Sequence, residues 1–576
     1  MYHLLVQYLR PHKKVLAVIA ILLLVQAIGT LYLPNLNADI INDGVVTGDT
    51  SYILQVGALM LVISALLGVS AIVAVYYSAR TAMRFGRDVR ADLFRRVEEF
   101  SLGQMYGFGV PSLITRNTND VQQLQMLVMV GLTMMILAPI TAIGGIFMAM
   151  RENVQLSALL LVTIPLMVAV ISLMIFRAIP LFRSMQVKID KVNGVLRENL
   201  TGIRVIRAFV RTSHEEARFA EANQDLTATA LKVTRLFALM IPALMLIMYL
   251  STVATIWFGG HLIADGEMPI GNLIAFQAYI MQILGSVMMA VMTLMMIPRA
   301  SASGERIRRV LDTPPEITEP SPLALPLSLV GRIELRDVEF RYPGAQEPVL
   351  SGVAFVMEPG TTTAIVGGTG SGKTTLVNLL PRLMDVTSGE ILIDGVNIQA
   401  IPLEELWQLF GIVPQRAFLF TGTVGSNVRF GRPETTDEDV WTALTVAQAR
   451  EFVDELPDGL DSSIEQGGAN LSGGQRQRMA IARCIVRRPL VYLFDDSFSA
   501  LDYSTDARLR AALVEQTRNS TVAIVAQRVR TITDADQIVV LDGGRIVGVG
   551  QHEQLIESCE PYREIVLSQM SLEEAG

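Results

Sequence analysis

Six stretches of apolar residues, near 15–36, 52–78, 125–150, 154–176, 236–260 and 270–298, dominate the N-terminal half of this chain. Each is long enough to cross a bilayer, which takes about 20 residues of helix for a hydrocarbon layer of roughly 30 Å. Lipid offers no partner to a bare peptide group, so each stretch has to close its own hydrogen bonds as an α-helix. The first follows Arg10, Lys13 and Lys14 and has the outline of a signal peptide, but no small-residue cleavage pattern comes after it. It reads as a retained span.

Lys and Arg set the expected orientation, because connections rich in them stay on the cytoplasmic side. Arg80, Arg84, Arg87, Arg90, Arg95, Arg96 and Arg116 crowd the connection after the second stretch, whereas 37–50, after the first, has none. The pattern repeats with Arg177, Arg183, Lys188, Lys191, Arg197, Arg204, Arg207 and Arg211 after the fourth stretch and none in 259–269. Both chain ends are therefore expected in the cytoplasm. The two inner connections keep helical periodicity with charged faces, so spans two to five are expected to continue beyond the lipid as helical stalks. Their tips, around Met105–Leu113 and Arg197–Arg204, carry glycine breakers and read as short transverse helices.

The spans hold essentially no Asp, Glu, Lys or Arg. A carrier coupled to protons or ions needs an ionisable group at membrane depth, so the energy for any transport has to come from elsewhere. Methionines are frequent, with Met240, Met245 and Met248 in the fifth span and Met281, Met288, Met289, Met292, Met295 and Met296 in the sixth. Such adaptable side chains suit either helix packing or a cavity for varied apolar ligands. A formal net charge of -8 and only two cysteines, Cys484 and Cys559, provide neither a basic stripe nor a zinc-knuckle spacing, so no nucleic acid partner is expected.

From Leu311 to Leu329 the chain turns proline-rich (Pro314, Pro315, Pro320, Pro322, Pro326) and loses helical pattern, as a connector does. The expected division is 1–310 for the membrane domain, 311–330 for the linker and 331–576 for a second domain. In the latter, the strand-like Thr361–Val366 runs into Gly367, Gly368, Thr369, Gly370, Ser371, Gly372, Lys373 and Thr374, and then Thr375–Leu380 is helix-forming. This is a phosphate loop in its strand–loop–helix setting. Glycines let backbone N–H groups approach phosphates, the helix start favours anions, Lys373 meets the β and γ oxygens, and the Thr374 hydroxyl reaches Mg2+. Val491–Asp495 is an apolar strand ending in a carboxylate, the arrangement that sets a magnesium-binding Asp beside such a loop.

Between them stands Leu471-Ser472-Gly473-Gly474-Gln475, followed by Arg476-Gln477-Arg478. This segment resembles the signature of ATP-binding cassette (ABC) proteins, and six spans followed by one cassette resembles a half-subunit of the exporter type. The resemblance implies a six-helix, all-α membrane domain with long cytoplasmic extensions, joined to an α/β phosphate-loop NTPase domain. It implies ATP and Mg2+ as cofactors. Residue by residue, Tyr342 resembles the aromatic that stacks on adenine, with Thr375 completing the loop's ATP contacts, and Gln415 resembles the group sensing magnesium and the γ-phosphate. Ser499, Ala500, Leu501 and Asp502 resemble the loop that meets a partner cassette. Phe108–Ile114 and Asn199–Ile206, including Phe108, Gly109, Ile203 and Arg204, take the positions of coupling helices. In that family two cassettes enclose two ATP molecules, each held by one chain's phosphate loop and the other's signature.

Two positions depart from the family's pattern. Asp496 stands where a catalytic Glu is usual, and Gln527 stands where a His meets the γ-phosphate. Asp is shorter than Glu by about 1.5 Å, one bond length, and Gln donates a hydrogen bond but carries no positive charge. Losing positioned acid–base help removes about 10²–10⁴ in rate. The expectation is a degenerate ATP site beside an intact signature that serves a second, non-identical half-transporter subunit. It extends to export of a hydrophobic or amphipathic compound, such as a drug or lipid, across a bacterial cell membrane, with the cassette in the cytoplasm. Two alternatives stay open. A siderophore-type importer on the same fold normally carries an added domain, which is not expected at either end here, and an ATP-gated regulator also arises with degenerate sites.

Overall fold

The computed structural model describes residues 1–318 and 329–569, so Pro320, Pro322 and Pro326 of the connector lie outside the described residues. The chain divides into two compact units, one of Met1–Arg95 with Pro111–Thr313, the other of Arg96–Val110 with the residues from Pro314 onward.

The first unit is built from α1 (Tyr2–Leu9), α2 (Lys13–Asp39) and α3 (Thr50–Glu98), of which the residues from Arg96 onward belong to the second unit. After α4 (Leu102–Phe108), which belongs to the second unit, come α5 (Val121–Glu152), α6 (Leu160–Ala208), α7 (Thr212–Ala264), α8 (Ile270–Leu294) and α9 (Ile297–Asp312). Among the described residues, six helical stretches are long and apolar enough to cross a membrane: Tyr2–Val45, Thr50–Glu98, Val110–Glu152, Val154–Ala208, Thr212–Ala264 and Ile270–Asp312. At a rise of about 1.5 Å per residue, α3, with its 49 residues, is more than twice as long as the hydrocarbon layer is thick. Outward-facing residues such as Leu61, Ile72 and Leu161 are more than two-thirds exposed within the chain, as lipid-facing residues are.

Lipid is as apolar as leucine, so these helices associate through close fit rather than through the hydrophobic effect. The best-buried span is α8, where Phe276, Tyr279, Ile280, Ile283 and Leu284 are fully buried at helical spacing. It meets α2 and α5 where the latter carries Gly144 and Gly145. A Cβ on Gly145 would stand 2.7 Å from Ile283 Cγ1, so glycine there sets how near the helices come. Tyr279 donates to the Leu31 carbonyl at 3.0 Å, which partners its hydroxyl inside an apolar layer. At the charged end of the bundle, buried Asp120 accepts from Ser303 Oγ at 2.9 Å and from Arg306 Nε at 2.7 Å, tying the foot of α5 to α9.

The stretch Asn199–Ile206 departs from the expectation of a transverse helix, because α6 runs through it unbroken to Ala208. Gly202 stays helical, and the chain reverses only at Phe209–Arg211. A single glycine costs about 1 kcal/mol in a helix, less than the register of a 49-residue helix can carry. The first tip does form a separate short helix, α4. Ser101 and Gln104 form its capping box, and Gly109 ends it at φ 75°. Leu102 of α4 packs against the apolar core of its own unit, and Ser101 Oγ donates to Glu316 Oε2 at 2.5 Å.

Among the described residues the second unit has twelve strands: β1 (Ile333–Phe340), β2 (Leu350–Met357), β3 (Thr362–Gly367), β4 (Ser388–Ile393), β5 (Val396–Asn397), β6 (Phe410–Val413), β7 (Gly422–Thr423), β8 (Ser463–Ile464), β9 (Val491–Asp495), β10 (Thr521–Val525), β11 (Gln537–Asp542) and β12 (Arg545–Gly550). The central sheet has the order β12-β11-β3-β10-β9-β6, beside a sheet β2-β1-β4-β5 and a small pair β7-β8. Its inner strands are parallel, so both faces need cover. Alternate residues supply it: Ala364, Val366, Val522 and Ile524 meet α11 (Gly473–Arg487) and α12 (Tyr503–Gln516) on one face. Ile365, Leu493, Ala523 and Val525 face α10 (Lys373–Leu379) and the antiparallel sheet on the other. The chain continues to α13 (Glu560–Leu567).

Candidate nucleotide site

The strand order brings the site together. In parallel sheets ligands bind beyond the carboxyl ends of the strands, and the neighbours β3, β10, β9 and β6 end side by side at Gly367, Val525, Asp495 and Val413. Each is followed within two residues by a position singled out in the sequence: the phosphate loop after β3, Gln527 after β10, Asp496 after β9 and Gln415 after β6.

The phosphate loop leaves β3 and enters α10 at Lys373, with Gly370 and Gly372 at φ 83° and 96°. A Cβ on Gly372 would meet Leu350 Cδ2 at 2.7 Å, so both the backbone angle and the space demand glycine. The Lys373 ammonium lies folded over the loop, donating to the Gly367 and Gly368 carbonyls at 2.9 and 2.7 Å and to Ser371 Oγ at 3.3 Å. Burial pushes its pKa down, against the pull of Asp495 and Asp496. Thr374 Oγ1 donates to Asp495 Oδ1 at 3.2 Å. Tyr342 sits beside the same helix start, its hydroxyl 3.1 Å from Thr375 Oγ1.

Asp495 is buried, and burial, aided by Asp496, raises its carboxyl above the ordinary range despite Thr374 and Lys373. A carboxylate held ionised at such a place calls for a cation. Thr374 and Asp495 offer hard oxygen donors, the set that Mg2+ takes together with nucleotide phosphates. Among the described residues no cluster of three or more His, Cys, Asp or Glu exists that would bind a metal without such help.

Asp496 is 8% exposed and held at φ 47°. Its Oδ2 accepts two hydrogen bonds, from Gln415 Nε2 at 3.1 Å and from Gln527 Nε2 at 2.9 Å. The two departures from the family's pattern therefore touch, and Gln415 joins them rather than facing Thr374 and Asp495. Amide donors aimed at a carboxylate occupy the lone pairs that would take a proton from water. Sequence reading missed this contact, because positions 415, 496 and 527 become neighbours only through the order of β6, β9 and β10.

The signature lies elsewhere in the unit. Ser472 and Gln475 form a capping box at the start of α11, and Gly474 faces the Ala500 carbonyl, which a Cβ would approach to 3.2 Å. Among the described residues no hydrogen bond joins Leu471–Gln475 to the phosphate loop of the same chain. The helix is tied instead to the segment before Gln415, as Gln477 Nε2 donates to the Pro414 carbonyl at 3.2 Å. In the Ser499–Asp502 loop, Ser499 Oγ donates to the Asp496 carbonyl, and Asp502 caps α12, with hydrogen bonds from Ser504 and Thr505 holding its carboxyl well below the usual range. Of the tip residues, Phe108 and Gly109 lie in one unit and Ile203 and Arg204 in the other.

Comparison with known proteins agrees along the whole chain. Residues 16–287 match the family model for the ABC transporter transmembrane region, and residues 350–499 match that for the ABC transporter. An uncharacterized ABC transporter ATP-binding protein of Mycobacterium tuberculosis is 46% identical over 570 residues, which is 98% of each chain. A putative multidrug export ATP-binding/permease protein of Bacillus subtilis is 30% identical over 566 residues, 97% of each. Among solved structures, a bacterial Atm1-family ABC exporter with ATP bound superposes with a TM-score of 0.80 at 24% identity, over 96% of this chain and 97% of that one.

Proposed function

This chain belongs to the ABC transporters, as a multi-pass membrane protein of exporter fold whose ATPase cassette drives transport, and on that premise we propose that it is the slow half of a heterodimeric exporter. The observation that carries the reading is the pair of amides on Asp496. A general base has to take a proton from the attacking water. Here the carboxylate is one methylene short and already accepts two hydrogen bonds, and no histidine supplies charge at the γ-phosphate.

In this reading Lys373 and the loop N–H groups bind the phosphates, Tyr342 turns from Thr375 to the adenine, and Thr374 and Asp495 hold Mg2+, with Gln415 reaching it once released from Asp496. Bound magnesium neutralises charge on the β and γ oxygens. ATP then acts here as a lasting clamp. The signature Leu471–Gln475 completes the partner's site, where hydrolysis resets the pair, and Ser499–Asp502 meets the partner cassette. Movement reaches the membrane through the tips at Phe108–Gly109 and Ile203–Arg204. Around the second tip Leu200, Val205, Phe209 and Val210 are more than 60% exposed, an apolar surface that fits docking on another cassette.

The cargo class is a hydrophobic or amphipathic compound, supported by uncharged, Met-rich spans and by the multidrug export protein among the relatives. The positive-inside pattern supports a cytoplasmic cassette and cytoplasmic termini, and the reading places the chain in a bacterial cell membrane. Reconstitution with the co-expressed second half-subunit tests the reading. ATP-dependent accumulation of a fluorescent amphiphile in inside-out vesicles is expected, and substituting Ser472 and Gly474 is expected to stop it. Gated leakage without accumulation would favour a regulator, and ATP-driven movement in the opposite direction would favour an importer.

A further inference from the structure

Strand β10 ends at Val525, its last residue paired with β3 and β9, yet the next residues must hold Gln527 in one place. Their free backbone groups meet a side chain from the far end of the cassette. Gln569, just after α13, donates from Nε2 to the Gln527 carbonyl at 2.7 Å and accepts at Oε1 from the Val529 N–H at 2.9 Å. A carbonyl and an N–H two residues apart are the pair that a neighbouring strand would satisfy. The planar amide of Gln569 takes that strand's place. On the same segment Arg528 donates to the Ser499 carbonyl at 3.0 Å and lies over the Tyr503 ring, while Val529 is buried. One hydrogen-bonded path therefore runs from the end of α13 through Gln527 to Asp496 and on to Gln415.

We propose that Gln569 is a positioning residue of the ATP site: it braces Gln527–Val529 so that the Gln527 amide stays on Asp496, and so sets how long nucleotide is held. With Gln415 turned to magnesium, the Gln527 amide is the donor that still spreads the charge of Asp496, and a carboxylate without it repels the γ-phosphate more strongly. Loosening the brace therefore shortens the stay of ATP. The inference rests on the reading of this site as one that retains ATP.

The test uses the full chain in lipid nanodiscs and measures release of a fluorescent ATP analogue with magnesium. Q569M keeps the side chain's length and removes both hydrogen bonds. It is expected to speed release about threefold, the lower end for lost neutral hydrogen bonds because Gln569 is exposed. Q527A is expected to speed release by at least as much, and Q569M/Q527A by no more than Q527A alone, because both changes break one path. Release from Q569M at the unaltered rate, or factors that multiply in the double variant, overturns the proposal. Should Q569M fold poorly, Q569E retains an acceptor for Val529 but no donor, and an unchanged rate there overturns it equally. Inorganic phosphate is followed in the same samples. Rapid turnover by the unaltered chain sinks the slow-site reading, while the brace stands or falls on the double variant.

Discussion

Converting Asp496 to Glu and Gln527 to His together should turn this ATP site into a hydrolytic one, and Asp496→Glu alone should fall well short. Asp496 Oδ2 accepts from Gln527 at 2.9 Å and from Gln415 at 3.1 Å. A hydrogen bond to a charged group contributes about 1.5–3 kcal/mol. A carboxylate that must leave Gln527 to take a proton from water therefore forfeits about one to two powers of ten in rate. That is a large share of the roughly 10²–10⁴ a positioned base supplies. The lengthened side chain of D496E still meets the Gln527 amide, whereas D496E/Q527H replaces that amide with an ionisable ring whose N–H can be given to the γ-phosphate instead of the base. The assay is single-turnover phosphate release from the proposed heterodimer, with the partner cassette carrying Gln for its catalytic Glu, so that only this site contributes. The double variant is expected to exceed D496E by about ten- to a hundredfold. Equal rates for D496E and the double variant would refute the argument that the amide pair restrains the base.

Lys373→Ala should weaken magnesium ATP binding by about ten- to a hundredfold, the worth of a charged hydrogen bond to phosphate, in equilibrium titration with a fluorescent analogue; unchanged affinity would mean that this loop does not hold the phosphates. Because burial raises the Asp495 carboxyl above its ordinary 3.8, the folded cassette grips that proton more tightly than the unfolded chain does. The resulting stability is full below the unfolded value and is lost as pH rises through the folded one. Asp495→Asn should therefore raise the cassette's melting temperature at neutral pH without magnesium, flatten its pH dependence and abolish magnesium-dependent ATP retention. Gly389→Ala, at φ 78° with its Cβ 2.2 Å from the Asp337 carbonyl oxygen, should cost about 3 kcal/mol or more and lower the same melting transition; a change within a degree would contradict the backbone argument.

The membrane helices were legible because lipid leaves an apolar run of that length one way to satisfy its backbone. The phosphate loop was legible because Gly367–Thr374 carries strand, loop and helix signals within a few residues. The roles of Gln415, Gln527 and Leu471–Gln475 came through family resemblance, since none has a local signature of its own chemistry. What the chain order hid was proximity. Gln415 and Asp496 are 81 residues apart and Gln527 a further 31, and only the parallel order β3-β10-β9-β6 makes them one cluster. Gln569 was invisible for the same reason, as an exposed glutamine after a short helix resembles any other surface residue. At the second tip, Gly202 read as a breaker because its cost counts locally, whereas the helix that contains it is held over its full length.

ATP turnover by this chain alone, by the proposed complex with a second half-subunit, and by that complex with the partner's catalytic Glu replaced by Gln bears most directly on the proposed division of labour between two sites. The account predicts slow turnover from the chain alone, brisk turnover from the complex, and loss of nearly all of it in the substituted complex. Rapid hydrolysis by the chain alone, or by the complex lacking the partner's Glu, would contradict it.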